Sequence, residues 1–261
     1  MLWFPMPAPR VVLHQFAQSH FNEKARWALD WKAVPHRRRT YFPGPHALAM
    51  YRLSGQRTTP VLVIDDEVIP GSAAILAALE DRFPERRLLP TDPKLAERAL
   101  ALQQHFDAEV GPAVRTAVFS VLIHEPDQLC ATFSQGKPAW SSSLFRSAFP
   151  IIRLLVGRGN GVQDPAHVAR AFARAEAGLD LVAREIRPGG QLVGDAFSVA
   201  DLTCAALLAP LVSPEHPDMC APRPRPAALE AFFGRFAAHP TAAWVHEQYR
   251  KHRPPPCTVA D

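Results

Sequence analysis

At 261 residues, 48% of them hydrophobic and 21% charged, the chain can bury a sizeable core and is too apolar to remain disordered. Its net charge of +4 is only mildly basic, and the densest cluster, Arg37-Arg38-Arg39, lacks the interleaved aromatic residues of a nucleic-acid platform. The most apolar stretch, Val199 to Val212, carries Asp201 and Pro210, so neither a nucleic acid nor a membrane is an expected partner.

In chain order, Val11 to Phe16 is β-rich and is followed by polar Ala17-Gln18-Ser19. A helix fits Phe21 to Lys32, with Phe21, Ala25, Ala28 and Leu29 on one face and Ser19 as the expected N-cap. Val34-Pro35 ends it, and His36 to Tyr41 reads as a second strand parallel to the first. The three arginines there are either solvated or a basic rim around an anionic small ligand. A Pro- and Gly-punctuated stretch, Phe42 to His46, leads into a weak helix ending at Ser54-Gly55. Thr59 to Ile64 and Glu67 to Ile69 flank an Asp65-Asp66 turn and read as a hairpin. Pro60 sits at its strand start, where no ladder donor is needed. After Pro70-Gly71, Ser72 is the expected cap of a helix turning Ile75, Ala78, Leu79 and Phe83 inward. Gln15 to Ser19 contains no glycine, which excludes a dinucleotide-binding first turn.

Pro84 to Pro93 is rich in proline and charge, and beyond it strand signals vanish. Asp92-Pro93 opens a helix with the apolar stripe Leu95, Ala99, Leu102, Phe106 and Val110, which Gly111-Pro112 should kink or interrupt. Asp164-Pro165 repeats that start signal before Val168, Phe172, Ala175, Leu179, Val182 and Ile186, ended by Pro188-Gly189-Gly190. Ser198-x-x-Asp201 is a capping-box variant opening a helix apolar nearly all round, the expected central one. Two more helices fit Ala227 to Ala238 and Thr241 to Tyr249. The tail from Arg253 to Pro256 reads as loose, and Pro126 to Asp164 shows little period. The order predicts an α/β front over 9–84, a linker over 85–92 and an all-helical back over 93–251.

Cys130, Cys204, Cys220 and Cys257 stand far apart without C-x-x-C, which fits a reducing cytoplasm, with Cys204 as a small buried hydrophobe. The opening segment lacks both a basic region and a continuous apolar run, so no secretory signal is expected. Eleven histidines are scattered without H-E-x-x-H or another close ligand pair, so no metal is expected. Trp27, Trp31 and Trp140 read as packing residues.

Three segments, in this order and spacing, resemble the soluble glutathione transferases over roughly residues 10 to 250. Ser19-His20-Phe21-Asn22-Glu23-Lys24-Ala25-Arg26-Trp27-Ala28-Leu29 is similar to the first-helix signature of the serine- and cysteine-type classes. Thr59-Pro60-Val61-Leu62 is similar to the segment whose cis-proline marks thioredoxin-like domains. Gly194-Asp195-Ala196-Phe197-Ser198-Val199-Ala200-Asp201 is similar to the capping box of the second domain's buried helix. The resemblance implies an α/β thioredoxin-like N-terminal domain followed by an all-α C-terminal domain. It also implies glutathione as co-substrate, a small hydrophobic electrophile and a homodimer.

Such a site must turn a thiol with pKa about 8.5 into a thiolate at neutral pH, a shift of roughly 2 units or about 2.7 kcal/mol. A hydroxyl hydrogen bond contributes about 1.5–3 kcal/mol and the positive end of a helix about 0.3–2 kcal/mol. The resemblance gives Ser19 this catalytic role; by position alone it is equally a plain cap. No cysteine stands there, which argues against a disulfide reductase. By the same resemblance Thr59 and Pro60 pair with the cysteinyl backbone, and Ser72 takes the γ-glutamyl carboxylate. Gly71 departs from the family's acidic residue and Thr58 from its lysine; Gln56, Arg57 or His46 are the candidates to compensate. Phe16, Val118, Phe119 and Leu122 are expected to line the co-substrate pocket. The departures also support another reading, a non-catalytic transferase-like binding protein.

Overall fold

Residues 9–135, 137, 143 and 145–259 are described by the computed structural model; Trp140 lies outside them. The front comprises β1 (Val11–Gln15), α1 (His20–Trp31), β2 (Arg37–Thr40), α2 (His46–Ser54), β3 (Val61–Ile64), β4 (Glu67–Pro70) and α3 (Ser72–Arg82). The sheet order is β2-β1-β3-β4. β1 runs parallel to β2 with Val12 opposite Arg37, and antiparallel to β3 with Leu13 opposite Leu62. β3 and β4 form the expected hairpin, and Asp65 in its turn adopts φ +55, a conformation that Asp tolerates better than most residues. This is the thioredoxin-like arrangement.

Beyond residue 92 the described chain is helical: α4 (Pro93–His105), a π-helical turn (Phe106–Val110), α5 (Gly111–Leu122), α6 (Pro126–Ser134), α7 (Phe149–Gly159), α8 (Pro165–Glu185), α9 (Val199–Val212), α10 (Ala227–Ala237) and α11 (Pro240–His252). Asp92 caps α4 by accepting from the Lys94 and Leu95 amides, and Asp164 caps α8 by accepting from Ala166. The interruption expected at Gly111-Pro112 takes the form of the π turn just before it. Pro112 offers no amide hydrogen and its ring would crowd the carbonyl four residues back. Gly111 is also a point of close approach, since a Cβ there would lie 2.7 Å from Phe21 Cζ and 3.2 Å from Leu207 Cδ1.

α9 is the central helix, buried on nearly every side. Its capping box is formed: Asp201 accepts from the Ser198 amide at 2.9 Å and the Leu192 amide at 2.7 Å. Burial raises the Asp201 carboxyl to about 6, and those hydrogen bonds keep it from rising further. Cys204 and Trp27 are fully buried, as expected, while Trp31 is half-buried and donates to the Arg86 carbonyl.

α1 packs against α3 and α9, so even its charged residues are buried. Lys24 reaches Asp107 at 2.6 Å; burial lowers its pKa and Asp107 opposes that. Glu23 and Asp30 need partners in the interior, and the tail supplies them. The expectation of a loose tail is therefore corrected. Arg253 is 7% exposed and pairs with Glu23, Asp30 and Asp218, and the Cys257 amide donates to Asp30 Oδ1 at 2.7 Å. His36 and Val259 continue the attachment through backbone bonds at the start of β2. Likewise Arg37 and Arg39 are exposed but Arg38 is not fully solvated, because it bridges Asp30 and Asp218. Among the described residues no helix is long and apolar enough to cross a membrane.

Candidate active site

Ser19 ends the loop after β1 and holds the N-cap position of α1, with φ −106 and ψ 126. Its carbonyl accepts from the Glu23 amide at 2.8 Å, but its hydroxyl makes no capping bond. The expected side-chain cap is thus absent. The half-buried hydroxyl has no hydrogen-bond partner among the described residues, at the positive end of a helix.

One turn along α1, fully buried Asn22 donates from Nδ2 to Thr59 Oγ1 at 3.2 Å, and its Oδ1 has no partner. Thr59 precedes a cis peptide to Pro60, and the Pro60 carbonyl accepts from the Gly71 amide at 2.9 Å. These bonds join the N-termini of α1 and α3 across the start of β3. Ser72 is not the cap of α3, as was expected, but its first residue; Gly71 is the N-cap, with φ +89, a conformation that suits glycine. Ser19, Thr59, Pro60, Gly71 and Ser72 therefore share one edge of the front, where two helix N-termini favour an anion. Gln56 lies on the exposed turn between α2 and β3, and no bond ties it to that group.

The four expected pocket residues divide. Phe119 on α5 stacks on Phe133 of α6 with centroids 6.3 Å apart, and Phe16 meets the same Phe133 ring edge-on at 6.3 Å. Val118 and Leu122, one turn apart on another stripe of α5, instead line a separate cavity of about 60 Å³ with Gln18, Thr132 and Met219. Gln18 closes it by donating to Gln135 Oε1 at 2.7 Å and the Cys220 carbonyl at 2.8 Å.

Sequence reasoning gave no role to Asn22, His20 or Phe133. Asn22 stands three residues after the cap, a spacing that could have marked it. Phe133 lies in the stretch of weak period and carried no signal. His20 is buried and its Nε2 bonds the Gly111 carbonyl at 2.9 Å; burial lowers its pKa to about 3, with Arg115 and Lys24 adding to the effect. The imidazole is neutral at physiological pH, so Nε2 carries the proton it donates.

Glu23, His216 and Asp218 have ligand atoms within 4.8 Å of one another, a spacing that a cation could use. Arginines already engage both carboxylates: Arg26 and Arg253 on Glu23, Arg38 and Arg253 on Asp218. Burial alone would raise Asp218, yet Arg26, Arg38 and Arg253 hold it at about 2. This donor set fits guanidinium groups better than a metal.

Residues 13–87 match the family model described as glutathione S-transferase, N-terminal domain. Glutathione S-transferase 1 of Dianthus caryophyllus is 36% identical over 97 residues, which span 36% of this chain and 43% of that relative, less than half its length. Beta-etherase LigF from Sphingobium sp. strain SYK-6 superposes with a TM-score of 0.61 at 19% identity, covering 91% of this chain and 99% of its own. A glutathione S-transferase of Methylobacterium radiotolerans in complex with glutathione sulfonate gives a TM-score of 0.55 at 22% identity, covering 97% and 98%. At such identities the structural likeness establishes the fold.

Proposed function

We propose that the chain, whose residues 13–87 match the glutathione S-transferase N-terminal domain, is a soluble glutathione transferase that binds glutathione on its front and adds the thiolate to a small hydrophobic electrophile. The observation that carries this reading is the Ser19 hydroxyl, uncommitted at the α1 N-terminus, one turn from the Asn22 that donates to Thr59 beside cis-Pro60. Ser19 donates to the sulfur as the proton leaves, and the helix end adds to the stabilisation, together supplying about the 2.7 kcal/mol needed. Thr59 and Pro60 pair with the cysteinyl backbone, and Ser72 with the α3 N-terminus takes the γ-glutamyl carboxylate. Gln56, Arg57 or His46 takes the glycyl carboxylate in place of the lysine that Thr58 replaces. The electrophile rests against Phe16, Phe119 and Phe133, where proximity to the thiolate does the rest of the catalysis.

An apolar groove of about 620 Å³ between α3 and α4, lined by Ala73, Leu76, Ala77, Leu89 and Leu100, supports a homodimer built across the two halves. The four cysteines, none of them in a disulfide among the described residues, support a reducing, cytoplasmic setting.

Gly71 favours a second reading, a non-catalytic binding protein, because its φ of +89 disfavours the acidic side chain that the family uses for the γ-glutamyl amine. Calorimetry with glutathione at neutral pH separates the two. Saturable binding weakened by Ser72→Ala supports the enzyme; a folded protein that binds nothing at millimolar glutathione supports the second reading.

A further inference from the structure

The loop that carries Ser19 is held from behind by one fully buried side chain. Arg26 donates from Nη1 to Gln15 Oε1 at 2.9 Å and to the Phe16 carbonyl at 3.0 Å, and from Nη2 to the Ser19 carbonyl at 3.4 Å. It therefore grips both ends of the 16–19 loop. Its own orientation is set by Glu23, whose Oε2 accepts from Arg26 Nε at 2.7 Å. The other Glu23 oxygen accepts from Arg253 Nε, also at 2.7 Å. Arg253 then spends the rest of its fork on Asp30 Oδ2 at 2.8 Å, Asp218 Oδ2 at 2.8 Å and the Pro254 carbonyl. With Arg38 bridging Asp30 and Asp218, three carboxylates face three guanidinium groups.

We propose that Arg253 is a positioning residue for Ser19, acting through Glu23 and Arg26. The proposal rests on the glutathione-transferase reading of Ser19. Without Arg253, three buried carboxylates face two guanidinium groups, and fully buried Glu23 is in greatest deficit: its Oε1 loses its donor, whereas Arg38 still meets both oxygens of Asp218. Arg26 is the one guanidinium still on Glu23, and a small swing lets its fork cover both Glu23 oxygens. The swing draws the Arg26 fork off the Phe16 and Ser19 carbonyls and frees the loop. Ser19 and the first turn of α1 then lose their aim at the sulfur, while Ser72 and the α3 N-terminus keep theirs. Lysine cannot replace this arginine, since one ammonium does not span Glu23, Asp30 and Asp218 together.

The test compares Arg253→Lys and Arg253→Gln with the parent protein and with Ser19→Ala. The thiol pKa of bound glutathione is read from the pH dependence of thiolate ultraviolet absorbance, and kcat and KM with a chromogenic aryl halide. The expected result for both Arg253 variants is a bound-thiol pKa raised by about one unit and kcat at neutral pH lowered about threefold, with glutathione affinity lowered by no more than about the same factor. If Arg253→Gln does not fold, Arg253→Gln with Asp30→Asn leaves two carboxylates against two guanidinium groups and is measured in its place. Folded variants with parental thiol pKa and kcat, beside a Ser19→Ala protein that has lost both, overturn the relay and leave the Ser19 reading intact. A Ser19→Ala protein with parental turnover overturns that reading itself, and the relay with it.

Discussion

His20 donates its Nε2 proton to the Gly111 carbonyl across 2.9 Å, joining the residue after Ser19 to the first residue of α5. The bond is buried and fixes how the α1 N-terminus meets the helix that carries Phe119. His20→Ala leaves that carbonyl short of a donor and opens a gap, so it should lower stability by about 1–3 kcal/mol, measured by urea unfolding. Because burial lowers its pKa from 6.5 to about 3, protonation favours the unfolded state. The stability due to this residue is complete above pH 6.5 and is lost as pH falls from there toward 3. His20→Asn should flatten that limb of the stability profile.

Ser19→Ala should leave stability within about 0.5 kcal/mol of the parent, smaller than the roughly 1 kcal/mol of an ordinary cap, because the hydroxyl makes no capping bond. Glutathione-conjugating turnover should fall at least tenfold, the equivalent of about 1.4 kcal/mol of thiolate stabilisation. Thermal melts and steady-state rates on the same preparation check both halves. A stability loss above about 1 kcal/mol would mean that the hydroxyl does cap in solution.

Asp201→Ala removes the acceptor shared by the Leu192 and Ser198 amides at the start of the most buried helix. The expected loss is about 2–4 kcal/mol, seen as a lower urea midpoint with an unchanged slope.

Asp218 and Glu23 should make the fold acid-sensitive. For each, burial pushes the pKa up and the surrounding arginines more than reverse it, leaving Asp218 near 2 against an ordinary 3.8. Both groups bind protons more tightly when unfolded, so they stabilise the fold above about pH 4 and lose that effect on acidification. For Asp218 the difference amounts to about 2 kcal/mol between pH 4 and pH 2. Unfolding curves across this range, with Asp218→Asn as comparison, should show a steeper decline in the parent.

Leu100 is 46% exposed on the groove between α3 and α4. Leu100→Glu should shift sedimentation from dimer to monomer without unfolding the chain. A parent that is already monomeric at micromolar concentration removes the groove from consideration as the pairing surface.

The elements whose shape is set by neighbours in sequence were legible: Asp92-Pro93 and Asp164-Pro165 opened helices, and Ser198 with Asp201 formed its box. Ser19, Thr59, Pro60, Gly71 and Ser72 were legible as a group because the family's order of elements brings them to one edge. Partners distant in sequence were not. Nothing near Glu23 announces that its second oxygen is met by Arg253, and nothing periodic around Phe133 places its ring between Phe16 and Phe119. Val118 and Phe119 were expected in one pocket, yet side chains one residue apart on a helix diverge by about 100°, so Val118 lines a cavity with Leu122 while Phe119 stacks on Phe133.

The tie between Glu23 and Arg253 crosses 230 positions of chain. On a ribosome, α1 emerges long before its counter-ions exist, carrying Glu23, Arg26 and Asp30 that the finished molecule keeps from water. The front can collapse early, but those charges then stay hydrated or mispaired until Arg253, 230 positions beyond Glu23, is released. Contacts of such separation slow folding and make the final state wait on synthesis of the chain through Arg253. A truncated nascent chain lacking Arg253 would keep a wet, poorly closed first helix, an accessible target for chaperones and proteases.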